Sequence, residues 1–389
     1  MHTRLRSAYG IPAVLILLHA PGLAAQAPAP AVLRRVDSIA SAEFAHDSVA
    51  SLTIGMVTRQ GLVWTKSYGF ADMTTKRLAN RESVYRIGSI TKMFTAVMLQ
   101  QLVAAGKIHL TDPAERFYPE IREIRGYKKL TAPITVQQLA TMTAGISREP
   151  EQEGPFWTGP VTSWDSTLHL ALAHTSMDHD PGTTFLYSNI GYAILGATLG
   201  RAAGVPYIRW EQEHVFGPLG MRRTAFEVEP AIASDVTRGY DISQGGSADP
   251  AQSVRDLITG RGYKVPNGAI FTTVDDLSRF LVLLLGAAPE AVVPHARLDS
   301  AFDAMVSPTG EPTAPYGLGF MVVRDGSLTF FGHGGAVAGY GAFMAFDRDR
   351  QVGVIALRNA LGGPVNPARV ATAALTLLTN PSRPKGQSP

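Results

Sequence analysis

The sequence predicts an α+β fold, in which an antiparallel β-sheet built from strands near both ends of the chain is flanked by helices and interrupted by a mainly helical insertion. Two short apolar segments near the start are typical of a β-hairpin, and several short apolar segments near the end are separated by Asp/Gly turns. The middle of the chain has helical patterning. With 389 residues, 45% hydrophobic and 17% charged, the chain can bury a large core.

The first 27 residues have the composition of a secretory signal peptide. Arg4 and Arg6 form a positive start, an apolar run follows over Ile11–Leu18, and Leu23–Ala27 supplies the small residues of a cleavage site. A membrane anchor or a buried first helix is the alternative, but the apolar run is well short of the ~20 residues that span a bilayer. We therefore expect a periplasmic or secreted protein without a stable membrane anchor.

Charge and cysteine content narrow the function classes. The formal charge is +3, two of these charges belong to the leader, and no run of Lys and Arg remains that could follow a phosphate backbone, so we expect no nucleic-acid partner. The chain has no cysteine, which excludes disulfides and thiolate zinc sites and is compatible with an oxidising compartment. No metal or organic cofactor is implied.

The first elements after the leader are a helix and a hairpin. Apolar residues recur at roughly helical spacing over 32–46. Leu52–Val57 and Leu62–Tyr68 then read as two strands joined by a turn at Arg59–Gly61.

Helical features dominate the middle of the chain. Ile90–Ala105 is apolar nearly all round and ends at Gly106, a good helix stop. Thr135–Gln138 has the form of a capping box, and Thr273–Asp276 opens a helix over Leu277–Leu285 in the same way. We place the helical insertion at about 86–265, within one domain that spans 28–380 and is followed by a polar tail, 381–389.

The end of the chain returns to strands and closes with a helix over about Pro367–Leu378. The stretches 148–164 and 240–266, rich in Gly, Pro and polar residues, are too long to be plain connectors and are predicted to be functional loops. The predicted late strands are Phe320–Val323, Leu328–Phe331, Gly341–Phe346 and Val352–Leu357.

The first candidate for chemistry is Ser89-Ile90-Thr91-Lys92. Residues three apart share a helix face, so the hydroxyl of Ser89 can meet the amine of Lys92. A helix start favours a developing negative charge, and a lysine buried among apolar residues can act as a base. The spacing alone is a weak signal, since Ser382–Lys385 also matches. That second match is not expected to be helical, because it contains Pro384 and lies in the polar tail.

Two further motifs carry polar groups suited to acyl transfer. Tyr187-Ser188-Asn189 combines a phenol that can relay a proton with an amide that can orient a lysine or a carbonyl; a polar loop is the alternative. Gly332–Gly335 follows the strand Leu328–Phe331, where glycines allow close approach to the backbone and a strand edge can present N–H donors. A nucleotide-binding loop is disfavoured there because the next segment reads as a strand.

Five sequence blocks, taken together and in order, resemble the penicillin-recognising serine hydrolases, in particular their class C β-lactamase-like branch. The resemblance covers roughly residues 35–375 and implies a β-lactamase/transpeptidase-like fold. The blocks are Tyr85–Lys92, Ile134–Ile146, Pro181–Tyr192, Pro218–Met221 and His333–Gly335.

The resemblance also implies a role for each candidate residue. Ser89 would be the nucleophile and Lys92 its first partner. Tyr187 would be the general base of acylation and the proton relay of deacylation, with the choice of base between Lys92 and Tyr187 left open. Asn189 would hold substrate, and the backbone N–H groups of Ser89 and Ala336 would form the oxyanion hole.

The third block departs from the pattern of true class C β-lactamases. They carry Lys-Thr-Gly where this chain has His333, Gly334 and Gly335. We place His333 and Gly335 among the substrate-binding groups with Ala336. A histidine is mostly neutral at pH 7, and Gly334 offers no hydroxyl, so binding of a substrate carboxylate is weakened at this motif. The motif fits D-alanyl-D-alanine carboxypeptidases, D-amino-acid peptidases and esterases of the family better.

The resulting expectation is a serine hydrolase that forms an acyl-enzyme on Ser89 and hydrolyses a small-molecule ester, amide or peptide, with at most weak β-lactamase activity. The rival is a non-catalytic sensor that binds penicillin or cell-wall fragments, and the oligomeric state stays open. Phe156, Trp157 and Trp164 are hypothesised to line an apolar acyl pocket, with ordinary loop anchoring as the alternative. Three histidines five residues apart lie on different helix faces and are not expected to bind metal: His169, His174 and His179.

Overall fold

The computed structural model describes most of the predicted domain, and the signal segment, the tail and part of the 240–266 loop lie outside the described residues. The described ranges are 28–151, 154–242, 261–303, 316–325 and 328–379.

The strands come from both ends of the chain, as the sequence predicted. In chain order they are β1 (Ser51–Thr58), β2 (Gly61–Asp72), β3 (Arg77–Leu78), β4 (Tyr85–Arg86), β5 (Tyr240–Asp241), β6 (Phe271–Thr272), β7 (Met321–Asp325), β8 (Leu328–Val337), β9 (Tyr340–Asp347), β10 (Val352–Arg358) and β11 (Ala360–Leu361). Within the described residues, seven of them form one antiparallel sheet in the order β3-β2-β1-β10-β9-β8-β7. β1 pairs with β10, with Ile54 opposite Ala356, so this contact joins the two ends of the chain.

The helices supply the rest of the predicted α+β architecture, and two of them begin at the caps expected from sequence. The Thr135 side chain accepts from Gln138 N and the Gln138 side chain accepts from Thr135 N, while the Thr273 side chain accepts from Asp276 N. The helices are α1 (Pro30–Phe44), α2 (Thr91–Ala104), α3 (Val136–Ala140), α4 (Trp164–Leu172), α5 (Asn189–Ala203), α6 (Tyr207–Glu211), α7 (Gly217–Leu219), α8 (Val265–Gly268), α9 (Val274–Leu284), α10 (His295–Asp303) and α11 (Pro367–Thr379). None of the helices in the described ranges is long and apolar enough to cross a membrane.

The sheet is buried on both faces. Successive residues of a strand point to opposite sides, so they pack into different layers. On β10, Val354 and Ala356 pack with α1 and α11, whereas Ile355 and Leu357 belong to the large core shared with the helical region. The terminal helices therefore cover one face of the sheet and the helical region covers the other.

The chain enters and leaves the helical region on paired strands. β4 pairs with β6, with Tyr85 opposite Thr272, so residues 87–270 begin and end side by side. In this region α2 packs against α5 and α8, and its residues are buried nearly all round. This burial explains the apolar sequence of α2 and places its N-terminus against the sheet.

The glycine-rich third motif lies within a strand, which the sequence did not predict. β8 was expected to end at Phe331, but it continues to Val337 because His333–Val337 pair with β9, with Gly335 opposite Ala342. β7 pairs with β8 only as far as Gly332, so in the described part of the chain β8 extends beyond its other neighbour from His333 onward.

Candidate active site

Ser89 lies in a 3₁₀ turn, Gly88–Ile90, that leads directly into α2. Its side chain is partly exposed, whereas both flanking residues are buried. Lys92 lies one turn further along, and its Nζ donates to Ser89 Oγ at 3.2 Å. The three-residue spacing therefore brings the hydroxyl and the amine together, as the sequence predicted.

The amine of Lys92 is completely buried and has further fixed partners. Nζ donates to Asn189 Oδ1 at 2.8 Å and to the carbonyl oxygen of Asn267 at 3.2 Å, and it lies 4.8 Å from the ring centre of Tyr187. Burial lowers the pKa of Lys92 well below its usual range, because the charged form loses its hydration. Burial thus favours the neutral amine, which is the form that can accept a proton.

Tyr187 lies beside Ser89 and has the opposite shift. Burial raises the pKa of Tyr187 to about 12, and hydrogen bonding by Ser89 and the charge of Arg148 oppose that rise. The phenol is therefore protonated at neutral pH and suits proton donation or relay. Burial therefore favours the uncharged form of both groups, the free amine of Lys92 and the protonated phenol of Tyr187.

Asn189 is held by groups of opposite character at the two ends of its amide. Its Oδ1 accepts from Lys92, while its Nδ2 donates to Glu149 Oε1 at 2.7 Å. Ser188 caps α5 by accepting from Gly191 N at 2.9 Å, which anchors the helix start that carries Asn189. The amide is thus fixed with its oxygen toward the amine of Lys92.

His333 is buried and neutral. Its Nδ1 lies 2.6 Å from the carbonyl oxygen of Gly334, which can only accept, so Nδ1 carries the proton and Nε2 accepts from the Tyr316 hydroxyl at 3.0 Å. Burial, and secondarily the charge of Lys92, lowers the pKa of His333 to about 3. It therefore adds no positive charge to the site.

The turn that carries Ser89 is in close backbone contact with β8. Gly88 has a left-handed φ of 49°, and a Cβ there would lie 2.8 Å from Ala336 N. A Cβ on Gly335 would lie 1.9 Å from the carbonyl oxygen of Ile87. Glycine is required at both positions, and the contact places Ser89 beside Ala336, the two residues expected to supply the oxyanion hole.

A cleft of about 450 Å³ opens over this arrangement. One end is polar, with Ser89, Arg148, Tyr187 and His333, and Gly334, Gly335 and Ala336 also line it. The other end is largely apolar. Its side chains come from β7, β9, β11 and the start of α11: Met321, Ala342, Phe343, Leu361 and Val365.

The three loop aromatics do not line this cleft in the described residues, which removes the support for an acyl pocket built from them. Phe156 and Trp164 are buried in the core, at 2% and 6% exposure. Trp157 lies under Lys264, whose Nζ is 3.6 Å from its ring centre. They anchor the loop, which was the alternative interpretation.

Glu149 is a site residue that sequence analysis missed. Besides Asn189, its carboxylate accepts from the Tyr263 hydroxyl and lies 3.6 Å from Lys264 Nζ. The only signal was indirect, since Glu149, Tyr263 and Lys264 all fall in the two loops considered too long to be connectors. Nothing in either loop predicted that they would meet at Asn189.

The three regularly spaced histidines lie on the surface, and His169 is within 3.0 Å of Glu123. Across the described ranges no three His, Cys, Asp or Glu side chains are grouped so that they could hold a metal ion.

Residues 36–378 match the beta-lactamase family. The chain belongs to that family. This membership confirms the resemblance drawn from the five sequence blocks.

Individual relatives extend the likeness across most of the chain. The chain is 28% identical over 340 residues to "Beta-lactamase-like protein 4" of Dictyostelium discoideum, covering 82% of this chain and 58% of that protein. It is 24% identical over 330 residues to "Protein flp" of Staphylococcus aureus, covering 84% and 63%. The matched region is thus about three fifths of the length of these two relatives.

A solved structure shows the same fold. The octameric penicillin-binding protein homologue from Pyrococcus abyssi superimposes with a TM-score of 0.74 at 25% sequence identity, covering 89% of this chain and 77% of that one. The beta-lactamase-family fold is therefore supported by structure as well as by sequence.

Proposed function

We propose that the chain is a serine hydrolase that forms an acyl-enzyme on Ser89 and hydrolyses small-molecule esters or peptide-like amides. The observation that carries the proposal is the contact between the Ser89 hydroxyl and the buried amine of Lys92, at 3.2 Å. A weak nucleophile becomes reactive when a base with a lowered pKa lies within hydrogen-bonding reach, and Lys92 meets both conditions.

In the first step Ser89 Oγ attacks the substrate carbonyl carbon while its proton passes to the neutral amine of Lys92. The negative charge on the carbonyl oxygen is stabilised by the backbone N–H groups of Ser89 and Ala336. Tyr187 donates its proton to the leaving oxygen or nitrogen as that bond breaks, and the Lys92 ammonium returns a proton to the phenol.

In the second step water attacks the acyl carbonyl and gives a proton to Lys92. The bond to Ser89 Oγ breaks, and the serine regains its proton from the Lys92–Tyr187 pair. Asn189 keeps the amine aimed at the serine throughout both steps, because its amide is held between Lys92 and Glu149. The enzyme returns to its starting protonation state without any cofactor in this scheme.

Turnover of 4-nitrophenyl butyrate by wild type and Ser89→Ala tests the proposal, with labelling by a fluorophosphonate as a second readout. Ser89→Ala should lose both turnover and labelling. Ser300→Ala is the matched control, because Ser300 is exposed on α10 and does not line the cleft. Retained turnover in Ser89→Ala would rule out the acyl-enzyme. Stoichiometric labelling of wild type without turnover would favour the sensor alternative.

The same site supports a preference among substrates. Because His333 is neutral and Gly334 has no hydroxyl, β8 lacks the groups that bind the carboxylate of a β-lactam in true class C enzymes. We propose that simple esters and D-amino-acid peptides are better substrates than a chromogenic cephalosporin. Comparing kcat/KM for the three classes on the pure protein tests this order.

We also propose that the protein is exported, on the basis of the charged, apolar and small-residue regions of its first 27 residues. Fractionation of cells that express the full chain or residues 28–389 tests the proposal. Hydrolase activity should move from the periplasm or medium to the cytoplasm when the leader is removed.

A further inference from the structure

Arg148 projects into the polar end of the cleft without taking part in the acyl-transfer scheme. Its side chain is exposed, lines the cleft beside Ser89, and lies with its guanidinium carbon 5.0 Å from the ring centre of Tyr187. Its backbone is fixed, since the Arg148 carbonyl accepts from Asn189 N at 2.9 Å. The start of α5 therefore holds this arginine beside the reacting groups.

The cation is not neutralised within the described part of the chain. Arg148 has no carboxylate partner there, whereas its neighbour Glu149 is occupied by Asn189, Tyr263 and Lys264. Of the described residues that line the cleft, Arg148 is the only charged one. A guanidinium on the wall of a partly enclosed cleft is well placed to bind an anion.

The charges around Lys92 also favour binding of an anion. Among the described residues, Arg148, Arg261 and Lys264 lie close enough to Lys92 to disfavour its protonation, and the carboxylate of Glu149 acts against them. A cleft with an excess of one sign concentrates ligands of the opposite sign. On the other wall His333 is neutral and both of its ring nitrogens have partners, so β8 offers no competing cation.

We propose that Arg148 binds a carboxylate on the substrate, so that the preferred esters or amides are anionic. The inference rests on the proposed hydrolase function and names its substrate class. A guanidinium can bind both oxygens of a carboxylate at once, which a lysine cannot reproduce. A charge-assisted contact of this kind corresponds to about 10- to 100-fold in kcat/KM.

Matched pairs of esters test the inference. One pair carries the charge on the acyl side, 4-nitrophenyl hexanoate and the mono-4-nitrophenyl ester of adipic acid. The other carries it on the leaving group, phenyl acetate and 3-carboxyphenyl acetate. Wild type should prefer the anionic member of at least one pair by tenfold or more. Arg148→Gln should remove that preference and Arg148→Lys should restore only part of it.

Two controls separate binding from other effects of the substitution. Arg59→Gln changes an exposed arginine outside the cleft and should keep the wild-type preference. If Arg148 acted only on Tyr187 and Lys92, Arg148→Gln would lower kcat/KM equally for both members of a pair and shift both pH profiles to higher pH. That result, or no anionic preference in wild type, would overturn the inference.

Failure of the underlying hydrolase proposal has a different signature. In that case none of the four esters is turned over and the fluorophosphonate does not label Ser89. Turnover and labelling with equal rates for charged and uncharged esters would leave the hydrolase standing and overturn only the role of Arg148.

Discussion

Lys92 and Glu149 bind opposite ends of the same amide, that of Asn189. The amine donates to Asn189 Oδ1 at 2.8 Å, and Glu149 Oε1 accepts from Nδ2 at 2.7 Å. The carboxylate therefore fixes the orientation of the amide and also raises the pKa of Lys92, against the larger opposing effect of burial. In the proposed mechanism Glu149 would act on the reacting groups through Asn189, as a positioning residue.

Glu149→Gln should shift the pH profile of the enzyme. Loss of the negative charge removes an influence that raises the Lys92 pKa, so the rising limb of kcat/KM against pH should move to lower pH. Loss of the fixed amide should also reduce kcat by about tenfold. Glu151→Gln, which changes a more exposed carboxylate paired with Arg125, is the control and should leave the profile in place. An unmoved limb in Glu149→Gln would contradict this account.

The opposite shifts of Lys92 and Tyr187 predict which group acts as base. Activity should rise with pH through the lowered pKa of Lys92 and should not depend on ionisation of Tyr187, whose pKa of about 12 keeps the phenol protonated. The arginine introduced by Lys92→Arg cannot lose its proton, so this variant should reduce kcat/KM by about 10²–10⁴. Tyr187→Phe should mainly slow the release of poor leaving groups, because the phenol is their proposed proton donor.

The measurement for these two variants is kcat/KM across pH for an activated aryl ester and for an alkyl ester. Lys107→Arg, at an exposed lysine beyond the end of α2, is the matched control. A rising limb that survives in Lys92→Arg would assign the base elsewhere.

Two adjacent glycines of β8 should respond differently to the same substitution. Gly335→Ala places a Cβ 1.9 Å from the carbonyl oxygen of Ile87, so β8 and the turn that carries Ser89 must separate. Loss of the Ala336 donor from the oxyanion hole should then reduce kcat by about 10²–10³. Gly334→Ala meets nothing closer than 3.5 Å, the ring of Phe343, and should keep most of the activity. Equal effects of the two substitutions on kcat and Tm would contradict the close contact.

A carboxyl far from the cleft should control part of the pH dependence of stability. Glu211 is completely buried on α6, and burial raises its pKa from 4.5 to about 8. The folded state therefore holds a proton that the unfolded state releases. The stability that this group contributes is fully present below pH 4.5 and is lost as the pH rises toward 8.

Glu211→Gln should remove that loss, so that the variant gains stability relative to wild type between these two pH values, by as much as about 4 kcal/mol. Urea unfolding at pH 5 and pH 8.5 measures the difference. Glu213→Gln, an exposed neighbour paired with Arg209, should follow the wild-type dependence. Parallel curves for wild type and Glu211→Gln would contradict the buried, protonated carboxyl.

Local patterns in the sequence predicted the elements that depend on local physics. The Ser89–Lys92 pair could be predicted because a three-residue spacing at the start of an apolar helix places the two side chains on one face. The helix start at Thr135 is equally local, since its capping box uses only neighbouring residues. The composition of β1 and β10 likewise reflects burial on both faces of the sheet.

The boundary of β8 could not be predicted in the same way. A glycine-rich segment such as Gly332–Gly335 has little strand propensity, and it is extended because it pairs with β9. The close approach of Gly335 to Ile87 also depends on a contact between residues distant in sequence, so no local pattern reveals it.

The sequence by itself determined the family and the α+β class, and it nominated Ser89, Lys92 and Tyr187 as reacting groups, because motif spacing and hydrophobic periodicity are properties of neighbouring residues. Tertiary structure alone decided the electrostatics of the site. The shifted pKa values of Lys92 and His333 result from burial by distant elements. Glu149 and Arg148 became part of the site only when a loop packed against the start of α5, because charge interactions depend on distance in space.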